Sequence, residues 1–338
     1  MDTKLEETKQ LGIRPAGAGV WTYLALAFAF SWIAWLLAIK LHSREEFLNF
    51  GTAGPAFAAM ILSRNAQRDR SSSSLPRAVA FSVLLVFCWA TLALHYSWRV
   101  SPNFRFVGSA WLLFPAIFPA WIISAALSKN GGVRCLLQRL VHFPNRWSAI
   151  ALLLFPAIQI GPAVLAHLFH QPLTTPDNDG SASIVAAAGA VFFLYNLVFV
   201  AVLEEPGWRG LLLDRLQEKW SPLVASLAVW LPWALWHAPL DYFRPVRFSL
   251  VMYLELRVAT MIPLVIILTW LYNRSGRSIQ ASAMFHASMN TLPFVLPYYA
   301  PGFGLLFVMA GYAIFADRMW RKHGRDYGIV ATSAATGC

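Results

Sequence analysis

Six residues set in apolar surroundings carry side chains capable of acid–base or metal chemistry: Glu204, Glu205, Arg209, His237, His286 and Asn290. They fall into three groups. Glu204 and Glu205 close the apolar run from Val198 to Leu203 and lead into Pro206-Gly207-Trp208-Arg209-Gly210. Glu205 and Arg209 are four apart, so on one helix they share a face and can pair. A second Glu beside an Arg-paired one is a candidate general base. Pro206 lacks an N–H and disfavours helical geometry at Glu205, so a kink or a helix restart is expected there. The alternative is a helix end at the membrane interface with a routine ion pair. His237 follows Trp233 by four residues, which puts indole and imidazole side by side, and His286 precedes Asn290 by four. Taken singly, these are an aromatic-belt histidine and a pair of helix-packing polar residues. Taken together, three apolar helices present polar groups that a bundle can bring into one cavity. Glu204, His237 and His286 match the ligand set of a catalytic zinc site with an open position. The same set serves equally without metal: Glu takes a proton from water, one His orients it, and the second His with Asn stabilises an oxyanion.

The order and spacing of these groups are specific. Glu204-Glu205-Pro-Gly-Trp-Arg209-Gly210, then Trp236-His237-Ala-Pro239, then Phe285-His286-Ala-Ser-Met-Asn290 resemble the EExxxR, FxxxH and HxxxN motifs of the CAAX protease and bacteriocin-processing (CPBP, or Abi) family of intramembrane proteases, which includes the Rce1-type prenyl-protein endopeptidase. The resemblance covers residues 184–296. Trp233 stands where the family usually has Phe. The resemblance implies peptide-bond hydrolysis in the membrane, with Glu204 activating water, His237 beside it, His286 and Asn290 holding the oxyanion or completing the site, and Glu205 and Arg209 supporting the geometry. It leaves zinc dependence open.

Such a cluster needs elements to carry it, and the composition says what they are. Of 338 residues, 58% are hydrophobic and only 13% charged. A soluble domain carries about a quarter charged residues, so the solvent of this chain is lipid. Ten apolar blocks can be marked: Gly19–Ile39, Phe47–Ser63, Ala78–His95, Phe106–Leu127, Ser148–Phe169, Ile184–Leu203, Pro222–Ala238, Phe248–Tyr272, Ile279–Leu296 and Gly302–Ala316. The second, seventh, ninth and tenth are short, so they are expected to be tilted, re-entrant or buried within the bundle. The expected fold is all-α, a polytopic bundle of about 8–10 membrane helices. Residues 1–147 form four N-terminal spans with basic loops, 148–318 the catalytic core and 319–338 a short tail. The first block is too long for a signal-peptide core and is read as a retained span.

With both termini in the cytoplasm, inside segments hold 20 Lys and Arg and outside loops 6, as the positive-inside rule requires. The net charge of +11 therefore reports topology and not nucleic-acid binding. Arginine outnumbers lysine by 21 to 6, which points to a bacterial inner membrane. The stretch Val133–Phe143 alternates Arg with Leu and suits either a short amphipathic helix on the membrane surface or topogenic charge alone. Cys88, Cys135 and Cys338 show no disulfide or metal spacing.

The expected partners are the bilayer and a membrane-associated protein or peptide substrate; the sequence assigns no oligomeric state. No HExxH, no GxSxG and no Asp deep in a block is present, which disfavours site-2, rhomboid and presenilin chemistry. A transporter is the competing reading of intramembrane charge, and it lacks support from an internal repeat. A non-catalytic scaffold or immunity protein of the same family is a further alternative, set against a complete Glu/His/His/Asn set.

Overall fold

In a computed structural model, residues 16–41, 50–64, 74–99, 106–143, 146–175, 182–241 and 250–322 are described. The N-terminal segment, the starts of the second and eighth apolar blocks and most of the tail lie outside them. The chain is a helical bundle, with no β-strand among the described residues beyond one isolated bridge between Thr174 and Tyr298. Eleven helices matter for the site. They are α1 (Ala16–Leu41), α2 (Gly54–Leu62), α3 (Leu75–Arg99), α4 (Leu113–Ser124, extended by 3-10 turns on both sides), α5 (Gly131–Val141) and α6 (Arg146–Leu168). Then come α7 (Ser183–Gln217), α8 (Pro222–Trp236), α9 (Leu250–Arg274), α10 (Ile279–Thr291) and α11 (Gly304–Ala316). Several starts are written in the sequence. Asn130, Ser221 and Ser278 each accept the N–H of the residue three on, at 3.2, 3.4 and 3.2 Å, the ordinary N-cap bond. Pro222 then occupies the first position of α8, where its missing N–H costs nothing.

In their described residues all ten apolar blocks are mainly helical. Among the described residues six helices are long and apolar enough to cross a bilayer: those in α1, α3, α4, α6, α7 and α8. The seventh block, expected to be short, reaches 19 residues with the turn that follows it. Large side chains such as Ile33, Val83, Leu153, Leu165, Val308 and Phe315 stand exposed on the outside, which suits lipid and not water. Short α10 is enclosed on nearly every side by protein, so its polar residues face other helices instead of hydrocarbon.

The clearest departure from expectation is α7. The block was expected to end at Leu203, with a kink or restart at Pro206. Instead, one helix of 35 residues runs through the motif to Gln217. Pro206 is absorbed because the helix widens on either side of it, into π-helix at Leu197–Ala201 and again at Trp208–Leu213. Such widened turns relieve a helix of strict i to i−4 bonding, and they recur at functional sites. The carboxylates therefore sit inside a continuous rod, not at a helix end on the interface.

The bundle closes tightly around this rod. Gly207 faces α2 so closely that a Cβ there would lie 2.5 Å from the Pro55 carbonyl oxygen and 2.5 Å from the Tyr23 hydroxyl. A backbone carbonyl cannot swing aside, so Gly207→Ala should cost about 1–3 kcal/mol through overpacking. Thermal unfolding in detergent measures this, and an unchanged midpoint would contradict the close approach. Trp35 and Trp208 both pack edge-on against Trp236, at 4.6 and 5.7 Å, and the Trp32 indole donates to the Trp236 carbonyl at 3.1 Å. The first two helices thus form one wall around the motif.

Candidate active site

The site is assembled by α7, α8 and α10. Glu204, Glu205 and Arg209 come from the stretch of α7 between and within its π-helical turns, Trp233 and His237 from the end of α8, and His286 and Asn290 from α10. Glu204 and His286 are each 2% exposed, and Glu205 and Arg209 are fully enclosed. Charges so deep persist only when paired and hydrogen-bonded.

Glu205 is the paired one. Its Oε1 accepts from Arg209 Nη1 at 2.9 Å and from His286 Nδ1 at 2.7 Å. The i,i+4 pairing read from the sequence is therefore present, and α10 is latched to it. A carboxylate oxygen can only accept, so Nδ1 of His286 carries a hydrogen and its Nε2 holds the lone pair when the ring is neutral. The Arg209 guanidinium lies over the Trp233 ring, 4.4 Å from its centroid, within cation–π range.

Glu204 is held differently. Its Oε2 accepts one hydrogen bond, from the Trp233 indole at 2.9 Å, and its Oε1 takes none among the described residues. His237 sits at the C-terminal end of α8, half-buried. Its Nδ1 is 2.7 Å from the Trp233 carbonyl oxygen. That oxygen can only accept, so the hydrogen is on Nδ1 and Nε2 holds the lone pair when the ring is neutral. The Trp233 ring also packs against both imidazoles, with centroids at 5.8 Å for His237 and 5.6 Å for His286.

Of the six residues singled out in the sequence, three are joined directly (Glu205, Arg209, His286) and two through Trp233 (Glu204, His237). Asn290 lies one turn beyond His286 on the same face of α10, half-buried. Among the described residues, no group of three or more His, Cys, Asp or Glu stands where it could hold a metal ion. Glu204, His237 and His286 are therefore not gathered as a ligand set in this arrangement.

Two contributors escaped the sequence reading. One is Trp233, noted only as a neighbour of His237 and a substitute for Phe. The available signal was its ring nitrogen, because Trp brings to that position an N–H that Phe lacks. The other is Arg139 on α5. It donates to Asp214 at 2.8 Å, to the Tyr272 hydroxyl at 2.7 Å and to the Gly210 carbonyl at 2.6 Å. Burial by itself would lower the pKa of this guanidinium, but the Tyr272 and Asp214 groups beside it outweigh that and raise it above its ordinary value. The amphipathic helix expected around Val133–Phe143 exists, but its apolar face, with Val133, Leu136, Leu137 and Leu140, is buried in protein. Its purpose in the fold is to clamp the π-helical turn that carries Arg209. No local spacing betrays such a contact. Glu255 is exposed, and Arg257 donates to the Met261 sulfur at 3.5 Å on its own helix.

Residues 186–292 match the family described as type II CAAX prenyl endopeptidase, Rce1-like. The CAAX prenyl protease 2 of Methanococcus maripaludis is 28% identical over 191 residues, covering 53% of this chain and 70% of that protein. The matched segment contains all six residues and the three helices that bring them in. Over about a third of its length the chain is thus similar to the Rce1-like CAAX endopeptidase family, and it is an integral membrane protease.

Proposed function

We propose that Glu204 activates the water that hydrolyses a peptide bond of a membrane-associated polypeptide. The supporting observation is the division of labour between adjacent carboxylates. Glu205 is bound through Oε1 by both Arg209 and His286, with its Oε2 buried and unpartnered, and serves as a strut, whereas Glu204 is held through Oε2 by the neutral Trp233 indole alone and keeps Oε1 available. In this reading Glu204 Oε1 takes a proton from water as its oxygen attacks the scissile carbonyl. His237 Nε2, fixed by the hydrogen on Nδ1, orients that water. The oxyanion of the tetrahedral intermediate is met by Asn290 and by His286, which would have to offer an Nε2 hydrogen as the imidazolium beside Glu205. Collapse breaks the C–N bond, and the proton held on Glu204 passes to the leaving amine, restoring the carboxylate.

Zinc is not needed for any of these steps, and the spread of Glu204, His237 and His286 does not suit it. The enzyme stripped with a chelator should keep its kcat. Loss of activity that zinc restores would replace the glutamate mechanism with a metal one.

The names of the matched family and relative direct attention to C-terminal CAAX tails carrying a prenyl group, and a lipid-anchored tail lying along the bundle suits a site enclosed by membrane helices. Bacteriocin-like peptides are the second class of membrane-associated substrate. The charge distribution favours both termini in the cytoplasm of a bacterial inner membrane. The test is release of the C-terminal tripeptide from a prenylated CAAX peptide by protein reconstituted in liposomes. Release by the wild type and none by Glu204→Ala is expected; equal release by both would refute the role of Glu204.

A further inference from the structure

We infer that Trp233 is the positioning residue for Glu204, and that its indole N–H, which the Phe usual at this place cannot supply, aims the carboxylate at the attacking water. The inference rests on the proposed role of Glu204 and deepens it. Four observations meet on this one residue. The indole N–H donates to Glu204 Oε2 at 2.9 Å in a buried setting. The ring carries the Arg209 guanidinium on its face at 4.4 Å. Its sides contact both imidazoles, and its own carbonyl fixes the His237 tautomer at 2.7 Å. The residue is 2% exposed, so water cannot replace its N–H.

The chemistry follows from what a carboxylate needs in order to act as a base. A Glu side chain turns freely about its last torsion. A donor fixed to one oxygen halts that rotation, and the other oxygen then points one way. The donor is rigid because its ring is wedged between Arg209, His237 and His286. An orientation fault at a base is paid in kcat, not in substrate binding, because the misaligned carboxylate still leaves the peptide site intact. Phe at this position would keep the ring packing and the cation–π contact but would leave Glu204 free to turn. A chain with Phe here needs another donor for that carboxylate; this chain has Trp.

The test compares Trp233→Phe with the wild type on the prenylated CAAX peptide in liposomes. A buried hydrogen bond to a charged group corresponds to about a 10- to 100-fold effect. Trp233→Phe should therefore lower kcat by about that factor while KM stays within about twofold. Unchanged kcat, or a raised KM with kcat intact, would overturn the inference. A second measurement does not depend on that variant folding. In protein labelled with 15N-tryptophan, Glu204→Ala removes the acceptor, and one indole N–H resonance should move upfield. The resonance that moves should be the one absent from Trp233→Phe, or, if that variant is not obtained, from Trp233→Tyr. An indole spectrum unaltered by Glu204→Ala would also overturn it. Activity retained in Glu204→Gln would instead sink the parent assignment, whatever Trp233 does.

Discussion

Glu204→Gln should lower kcat for peptide hydrolysis by about 10²–10⁴-fold and leave KM nearly unchanged. The amide has the shape of the carboxylate and can still accept the Trp233 indole N–H, so the packing of the site survives. What is lost is the ability to take a proton from water, and positioned general bases contribute within that range. Glu205→Gln separates the two carboxylates. There the neighbour of Arg209 and His286 loses its charge, so the damage should appear in stability as well as in rate. A single-turnover assay with matched unfolding curves reads both quantities. Equal loss of kcat in the two variants with equal stability would contradict their division into base and strut.

Arg209→Met should be the most destabilising of the site variants. It leaves Glu205 enclosed with no cation 2.9 Å away, and removing one partner of a buried pair costs about 3–5 kcal/mol. Activity should fall with it, because the same guanidinium supports the Trp233 ring. The double variant Glu205→Leu/Arg209→Met removes both charges at similar volume. It should recover much of the lost stability, since replacing a whole buried pair with apolar groups is often neutral. It should not recover activity, because His286 then loses the acceptor that fixes its ring. Thermal unfolding in detergent and a cleavage assay on the same samples decide this. Stability restored together with activity would mean that the pair has no part in shaping the site.

The sequence made the broad organisation legible because lipid imposes severe constraints. Each span must bond its own backbone and shed charge, so apolar blocks translate almost directly into helices. The same severity exposed the site: a charge inside such a block is costly, and Glu204, Glu205 and Arg209 stand out against Val198–Leu203. Spacing carried the Glu205–Arg209 pair and the Trp233–His237 contact because both are i,i+4 relations within one helix. What spacing could not carry is what crosses helices. The latch from His286 to Glu205, the bond from Trp233 to Glu204 and the grip of Arg139 on Gly210 depend on how distant segments pack. Pro206 misled for a related reason. Proline rules describe a regular α-helix, and this helix leaves that geometry on both sides of the proline, where π-helical turns change which carbonyls need donors.

The most direct test of water activation by Glu204 is isotopic. Excess reconstituted enzyme is given a prenylated CAAX peptide for a single turnover in water enriched in the heavy oxygen isotope. Direct attack by activated water puts one heavy oxygen into the new carboxyl terminus of the product and leaves the enzyme mass unchanged. A product with only light oxygen, and a heavy oxygen in a Glu204 peptide, would mean that the carboxylate itself attacked and formed an anhydride, contradicting its assignment as the base.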